Sequence, residues 1–297
     1  ETLTDLGLSE REFLRPDRLD FHGRVSLLKG GIITADAVNT VSRGYAREIQ
    51  TPEFGFGLDD LLRSKASVLD GIVNGVDYTE WSPENDAFTA QSYSADDLSG
   101  KQVCKADLLR EFGLPSEDLE RPLIGMVSRF VDQKGFDLIE RILPELLTED
   151  LSIVAIGTGE QRYEEAFRSL AATHPRKLGV RIGYDNSIAH KIEAGADIFL
   201  MPSHYEPCGL NQIYSLRYGT VPVVRATGGL DDTIDEDTGF KFREYTPEAL
   251  LRTIRAALSA YRERERWTTM MMAGMSKDYS WGASAGEYIS LYRRLWS

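Results

Sequence analysis

Residues 122–147, PLIGMVSRFVDQKGFDLIERILPELL, decide how this chain folds. Pro122 to Ser128 is a short apolar run without polar alternation, the mark of a strand buried on both faces. From Gly135 onward Phe136, Ile139, Leu143 and Leu146 recur at helical spacing in spite of Pro144. The same strand-then-helix unit then repeats: LSIVAIG (151–157) before EQRYEEAFRSLAA (160–172), VRIGY (180–184) before NSIAHKIEAG (186–195), ADIFLMPS (196–203) before CGLNQIYSLRYG (208–219), and TVPVVRA (220–226) before a glycine-rich turn. Short apolar strands alternating with amphipathic helices predict an α/β domain, a doubly wound parallel sheet covered on both faces, over residues 122 to about 262. A closed barrel needs eight such units, and about five or six are present.

Outward from this core the pattern thins. ADAVNTVS (35–42), SRGYAREI (42–49) and SVLDGIVNG (67–75) read as strand, helix and strand, the tail of another α/β unit with too few elements to close a core. A preceding segment and a cut end at Glu1 are therefore expected. Residues 81–121, rich in Pro, Ser and Asp with one helix near Lys101 to Phe112, read as a connector between lobes. Residues 286–296 form an amphipathic helix, and no internal repeat or low-complexity tract occurs.

Charge narrows the partners. With 297 residues, a net charge of -13 and a pI near 4.9, the chain repels phosphate backbones and anionic lipid, so neither nucleic acid nor a membrane is expected. An anionic substrate then needs local positive charge. Two cysteines, Cys104 and Cys208, make no disulfide framework or zinc cluster. No apolar run approaches eighteen residues, and a soluble chain in a reducing compartment is expected.

Ligands of open parallel sheets bind at the carboxyl ends of strands. After the first strand stand Arg129 and Lys134, a guanidinium fork and a compact ammonium suited to a diphosphate, or else a solvated basic pair. GTGEQR (157–162) follows the second strand but is no dinucleotide fingerprint, since Arg162 stands where a third glycine belongs. After the fourth strand comes SHYEPCGLNQ (203–212). Pro207 at a helix start costs no hydrogen bond, and Gly209 lets the amides of Cys208 to Leu210 approach an anion or hydroxyl. Glu206 stands at the mouth of that site, or simply stabilises the helix N-terminus. Thr227-Gly228-Gly229 makes a second turn on the same edge.

These residues carry a resemblance. SHYEPCGLNQIYSLRYGTVPVVRATGGLDDT, SRFVDQKGFDL and ADAVNTVSRGYAREIQTPEFGFGLDDLL are similar to bacterial glycogen synthases and plant starch synthases, glycosyltransferase family five, over essentially the whole chain. The resemblance implies a two-lobed GT-B fold and retaining transfer of glucose from ADP-glucose to the 4-hydroxyl at the non-reducing end of an α-1,4-glucan. It implies no obligatory metal, no cofactor beyond the donor, and a bacterial cytoplasm or a plastid stroma. The lobes it implies are residues 1–80 (part of the acceptor-side lobe), 81–121 (connector), 122–280 (nucleotide-sugar-binding Rossmann-like domain) and 281–297 (a helix packing back on the first lobe).

By motif, Arg129 and Lys134 resemble the pair that neutralises the leaving diphosphate, and Glu206 the glutamate facing the donor sugar, positioning hydroxyls and stabilising oxocarbenium charge. Cys208, Gly209, Leu210 and Asn211 match sugar and phosphate contacts. Gly183 and Tyr184 match a pair beside the adenine, Asn74 in NGVD a donor-site position at the hinge, and Thr227, Gly228 and Gly229 a turn closing on phosphate. Four departures stand out. Tyr214 replaces the second glutamate of the wider retaining motif, and VSRGYAREI the commoner VSPTYAREI. The Lys-Thr-Gly-Gly-Leu donor loop and the lobe histidine of the family are nowhere in the chain. Hence a second expectation, a noncatalytic nucleotide-sugar or glucan-binding remnant. Asp235-Glu236-Asp237 reads as a solvated turn, Met270 to Met272 as packing, Glu164-Glu165 as an exposed helix face, and the four histidines as structural or surface residues.

Overall fold

The computed structural model describes residues 2–296. Among them ten strands form three sheets. β1 (Asp20–Phe21) and β2 (Arg24–Val25) are an antiparallel hairpin whose turn residues, His22 and Gly23, both have positive φ, as a tight hairpin turn requires. β3 (Val38–Thr40) and β4 (Leu69–Gly71) pair in parallel, Val38 opposite Leu69.

The main sheet comprises β5 (Leu123–Val127), β6 (Ser152–Gly157), β7 (Leu178–Ile182), β8 (Ile198–Met201), β9 (Val221–Arg225) and β10 (Phe240–Phe242). All pairs are parallel, in the order β10-β9-β8-β5-β6-β7. The alternation read from sequence accounts for β5 to β9 and the helices between them. β10 was not expected: it is three residues with Lys241 at its centre, a sheet edge whose lysine bonds Asp231 at 2.7 Å.

Packing follows the periodicity. On the helix Phe136–Leu146 the residues Phe136, Ile139, Leu143 and Leu146 are all fully buried against the sheet. Pro144 lies in the last turn, where it forgoes the bond to the Glu140 carbonyl without interrupting the turns before it.

The stretch 81–121 is bound to the sheet domain by buried polar groups. Lys101 and Lys105 lie one turn apart on the helix Ser99–Glu111, and both are buried. Lys101 Nζ donates to the carbonyls of Ala194 and Tyr218 and to Thr220 Oγ1 at 2.7–3.1 Å. Lys105 Nζ meets Asp197 Oδ2 at 2.7 Å and the carbonyls of Leu119 and Arg121. Trp81 is sandwiched between His190 (centroids 3.6 Å) and Tyr214 (4.0 Å), and Asp86 takes His190 Nδ1 at 2.8 Å and the Tyr218 hydroxyl. His190 is thus a core residue, and Tyr214, where a ribose-binding glutamate would stand, is a packing surface for the connector.

The helix Trp281–Trp296 lies on the N-terminal segment. Ser284 Oγ donates to the Val73 carbonyl at 2.7 Å, Asn39 Nδ2 to the Tyr288 hydroxyl at 3.1 Å, and Arg294 pairs with Asp70. Among the described residues no helix is long and apolar enough to cross a membrane.

Glu193 is 1% exposed, and its Oε2 has no partner. Burial pushes its carboxyl well above the ordinary 4.5, against the pull of Lys101. The folded state therefore holds a proton that the unfolded chain releases, and this group erodes stability as pH rises above its unfolded pKa. Glu193→Gln removes that ionisation. Urea unfolding followed from roughly pH 5 to pH 8 is expected to show a less downward slope of unfolding free energy against pH in the variant than in the parent.

Candidate active site

The strand order reverses between β5 and β8, and the loops leaving those two strands part there to leave a crevice. The loop after β5 ends in a short 3-10 turn, Asp132–Lys134, and Gly135 enters the next helix at φ 79. A Cβ on Gly135 would stand 2.2 Å from the carbonyl oxygen of Pro202 at the end of β8, so only glycine lets the two loops touch. That contact delivers Lys134 to Glu206. Lys134 Nζ lies 2.5 Å from Glu206 Oε2, which also accepts Ser203 Oγ at 3.1 Å. Both residues line a cavity of about 190 Å³ with Arg129, Gly209, Leu210 and Asn211.

Arg129 is exposed and held at 2.9 Å by Gln133 Oε1, whose own amide donates to the Tyr205 carbonyl. Asn211 donates its amide to the Val127 carbonyl at 2.8 Å, so its donor is engaged by the sheet while its side chain lines the crevice. A second cavity of about 290 Å³ adjoins the first through Arg129 and Asn211 and reaches Gly183 and Tyr184. Tyr184 is 83% exposed, a ring open to a flat ligand. Asn74 sits at the same loop: its backbone N–H reaches the Cys208 thiol, which burial holds above its ordinary pKa. Arg129, Lys134, Glu206, Gly183, Tyr184, Gly209, Leu210 and Asn211 therefore line two adjoining cavities of one crevice, whereas Asn74 lines neither and touches the motif loop only through Cys208.

Thr227, Gly228 and Gly229 differ from expectation. The Thr227 hydroxyl and the Gly228 N–H both donate to Glu48 Oε1 at 2.8 Å, and the Gly229 N–H to the Glu206 carbonyl at 3.0 Å. Their donors are taken by the N-terminal segment and by the motif loop, leaving none for phosphate. GTGEQR, though exposed, is bonded to the helix it precedes: Glu164, expected on an exposed face, accepts Thr158 Oγ1 and the Gly159 N–H at 2.8 and 3.0 Å. Asp235 closes its own turn with Thr238 and the Asp237 N–H and pairs with Lys277.

The family described as Glycosyl transferases group 1 matches residues 112–270, more than half of the chain, and the Starch synthase catalytic domain matches residues 1–64. The chain belongs to the glycosyl transferases group 1. It is 54% identical over 284 residues to a glycogen synthase of Koribacter versatilis, covering 93% of this chain and 58% of that protein. It is 51% identical over 298 residues to one of Myxococcus xanthus, covering 99% and 62%. The structure superposes at a TM-score of 0.90 on the catalytic domain of starch synthase IV from Arabidopsis thaliana bound to ADP and acarbose, at 34% identity, over 97% of this chain and 62% of that one. The fold is GT-B, and the resemblance to glycogen and starch synthases holds. The chain spans about three fifths of the length of the curated relatives it matches.

Four residues that shape this crevice are not singled out by the sequence. Gln212 is fully buried, and its amide ties the Cys208 and Gly209 carbonyls to Thr233. Ser42 Oγ donates to the Pro207 carbonyl at 2.5 Å, and the Gly44 N–H to Asp232 at 2.8 Å. Glu48 was read only as part of a helix. Each acts across elements distant in sequence, a relation that spacing along the chain does not encode.

Gly135→Ala is expected to lower the unfolding free energy by about 2 kcal/mol or more, since a left-handed backbone and a blocked contact combine. Gly31→Ala, in the helix Leu27–Thr34 with open space around it, is expected to stabilise by about 0.5–1 kcal/mol. Urea denaturation of the two variants checks both signs.

Proposed function

We propose that the protein to which this chain belongs is a glycogen or starch synthase, moving glucose from ADP-glucose with retention onto the non-reducing-end 4-hydroxyl of an α-1,4-glucan. The observation that carries this reading is the Lys134–Glu206 contact in the crevice at the strand-order switch, within a chain about half identical to bacterial glycogen synthases. The donor then lies across the two adjoining cavities, its adenine against Tyr184 beside Gly183, its diphosphate at Arg129 and Lys134, and its glucose at Glu206. Asn74, Asn211 and the backbone of Cys208, Gly209 and Leu210 surround the sugar. The ADP-bound starch synthase IV supports this placement by likeness of fold and sequence.

Chemically, breaking the bond from C1 to the diphosphate puts negative charge on the leaving group and positive charge on C1 and the ring oxygen. Arg129 and Lys134 stabilise the first charge, and the Glu206 carboxylate the second. ADP-glucose and ADP are substrate and product, and no cofactor enters the scheme. The place of action is a bacterial cytoplasm, or a plastid stroma in a plant.

The test is incorporation of labelled glucose from ADP-glucose into glycogen by this 297-residue chain and by the full open reading frame. Incorporation by the full protein is the expected result; ADP binding with no incorporation by either form would leave a recognition module. In the active form, Arg129→Ala and Lys134→Ala are each expected to lower kcat by roughly 10² or more with folding intact. Near-normal turnover in either variant removes the diphosphate role.

A further inference from the structure

The proposed donor occupies one side of the sheet. Tyr184 follows β7, Arg129 follows β5 and Glu206 follows β8, so the nucleotide-to-sugar axis runs from the β7 edge inward. The β9–β10 side of the crevice lies opposite that axis and is open to whatever accepts the sugar. There the structure gathers aromatic rings from three separate parts of the chain. Phe54 lies 6.3 Å from both His204 and Tyr205, Phe56 lies 6.5 Å from Tyr205, and Tyr245, which follows β10, lies 4.5 Å from His204.

Phe56 stands out in this group. It has φ 49, a left-handed backbone that bulky residues adopt only under strain, and its ring is 67% exposed. The fold gains no core contact from a residue it holds in a costly conformation. Gly57, at φ 84, shares the strained turn, and Gly55 is jammed against Ile49 and Asp59, where an added Cβ would lie 2.4 Å from the Asp59 side chain. The FGFG loop is therefore shaped to present Phe56 outward, beside the residue that precedes Glu206.

Resting on the function proposed above, we infer that Phe54, Phe56 and Tyr205, with His204 and Tyr245 behind them, form the stacking lip along which the acceptor α-glucan chain approaches Glu206. A pyranose ring has faces rich in C–H and edges rich in hydroxyl. Its faces pack on aromatic rings, whose negative π surface meets the positive C–H groups. A neutral polyol needs no charge for this, and the charged groups nearest the lip are already engaged: Arg225 lies over the Tyr245 ring and donates to the His204 carbonyl, and Glu53 lies 3.9 Å from the His204 ring.

Calorimetric titration of this chain with maltoheptaose, and separately with ADP, tests the inference in the parent and in Phe56→Ala, Phe54→Ala and Phe56→Trp. Maltoheptaose affinity is expected to fall about tenfold in each alanine variant and to persist in Phe56→Trp, with ADP affinity unchanged throughout. Circular dichroism melting establishes that the half-buried Phe54 site still folds. Parent-like maltoheptaose binding by both alanine variants overturns the inference. So does a parent that binds ADP but not maltoheptaose, which leaves the donor reading standing. Loss of self-association in Phe56→Ala without change in sugar binding assigns the lip to a second copy of the chain and also overturns it. A parent that binds maltoheptaose through the lip but no ADP sinks the donor placement instead.

Discussion

Everything at this site depends on a backbone contact with no room for a side chain. The loop leaving β5 and the loop leaving β8 meet where Gly135 faces the Pro202 carbonyl, at the one place where the sheet order turns back on itself. Two parallel strands that are adjacent in space but far apart in sequence send their loops to opposite sides of a switch point, which opens a crevice. The glycine draws the loops together at its floor. An ammonium from one loop and a carboxylate from the other, 72 residues apart, then share a hydrogen bond. Without the close approach, Lys134 and Glu206 would be a pair of unrelated surface charges.

The rest of the structure holds this floor still from both sides. From below, Gln212 is buried and ties the motif loop to Thr233. From the N-terminal segment, Ser42, Gly44 and Glu48 bond to Pro207, Asp232 and the Thr227-Gly228 turn. Glu48 Oε2 is left buried without a partner, an arrangement costly enough that the two bonds made by Oε1 must fix the side chain firmly. The connector is clamped just as firmly, by lysines whose desolvation is offset by three or more acceptors each. Its first residue, Trp81, is likewise held in the sheet domain, sandwiched by His190 and Tyr214.

The sheet was legible in the sequence because burial on both faces leaves nothing but apolar residues in each central strand. LIGMV, SIVAIG and VPVVR contain almost no polar alternation, and the helices between them carry a clear 3.6-residue period. β10 was illegible for the converse reason: an edge strand of three residues with a central lysine has no buried pattern to read. Within the crevice, Arg129, Lys134 and Glu206 were legible as candidates because each lies in a loop leaving the carboxyl end of a strand. Ser42, Glu48 and Gln212 were missed because their work is to bond backbone groups of other loops. Thr227 to Gly229 misled for a related reason: a Thr-Gly-Gly turn has the same donors whether a phosphate or a neighbouring carboxylate takes them.

The electrostatics of the whole chain give the Lys134–Glu206 pair a further consequence. A protein with net charge -13 resists an incoming diphosphate at long range, so the approach of a nucleotide sugar must be made favourable locally. With Lys134 paired to Glu206, one of the two cations proposed for the diphosphate is neutralised in the free site. Arg129, held only by the neutral Gln133 side chain and exposed to solvent, keeps its full charge. On the proposed reading, a diphosphate is met first by Arg129, and it competes with Glu206 for the Lys134 ammonium only once it is inside the crevice. That competition would release the Glu206 carboxylate toward the sugar, so that on the proposed reading the binding of the leaving group itself readies the group that stabilises the opposite charge.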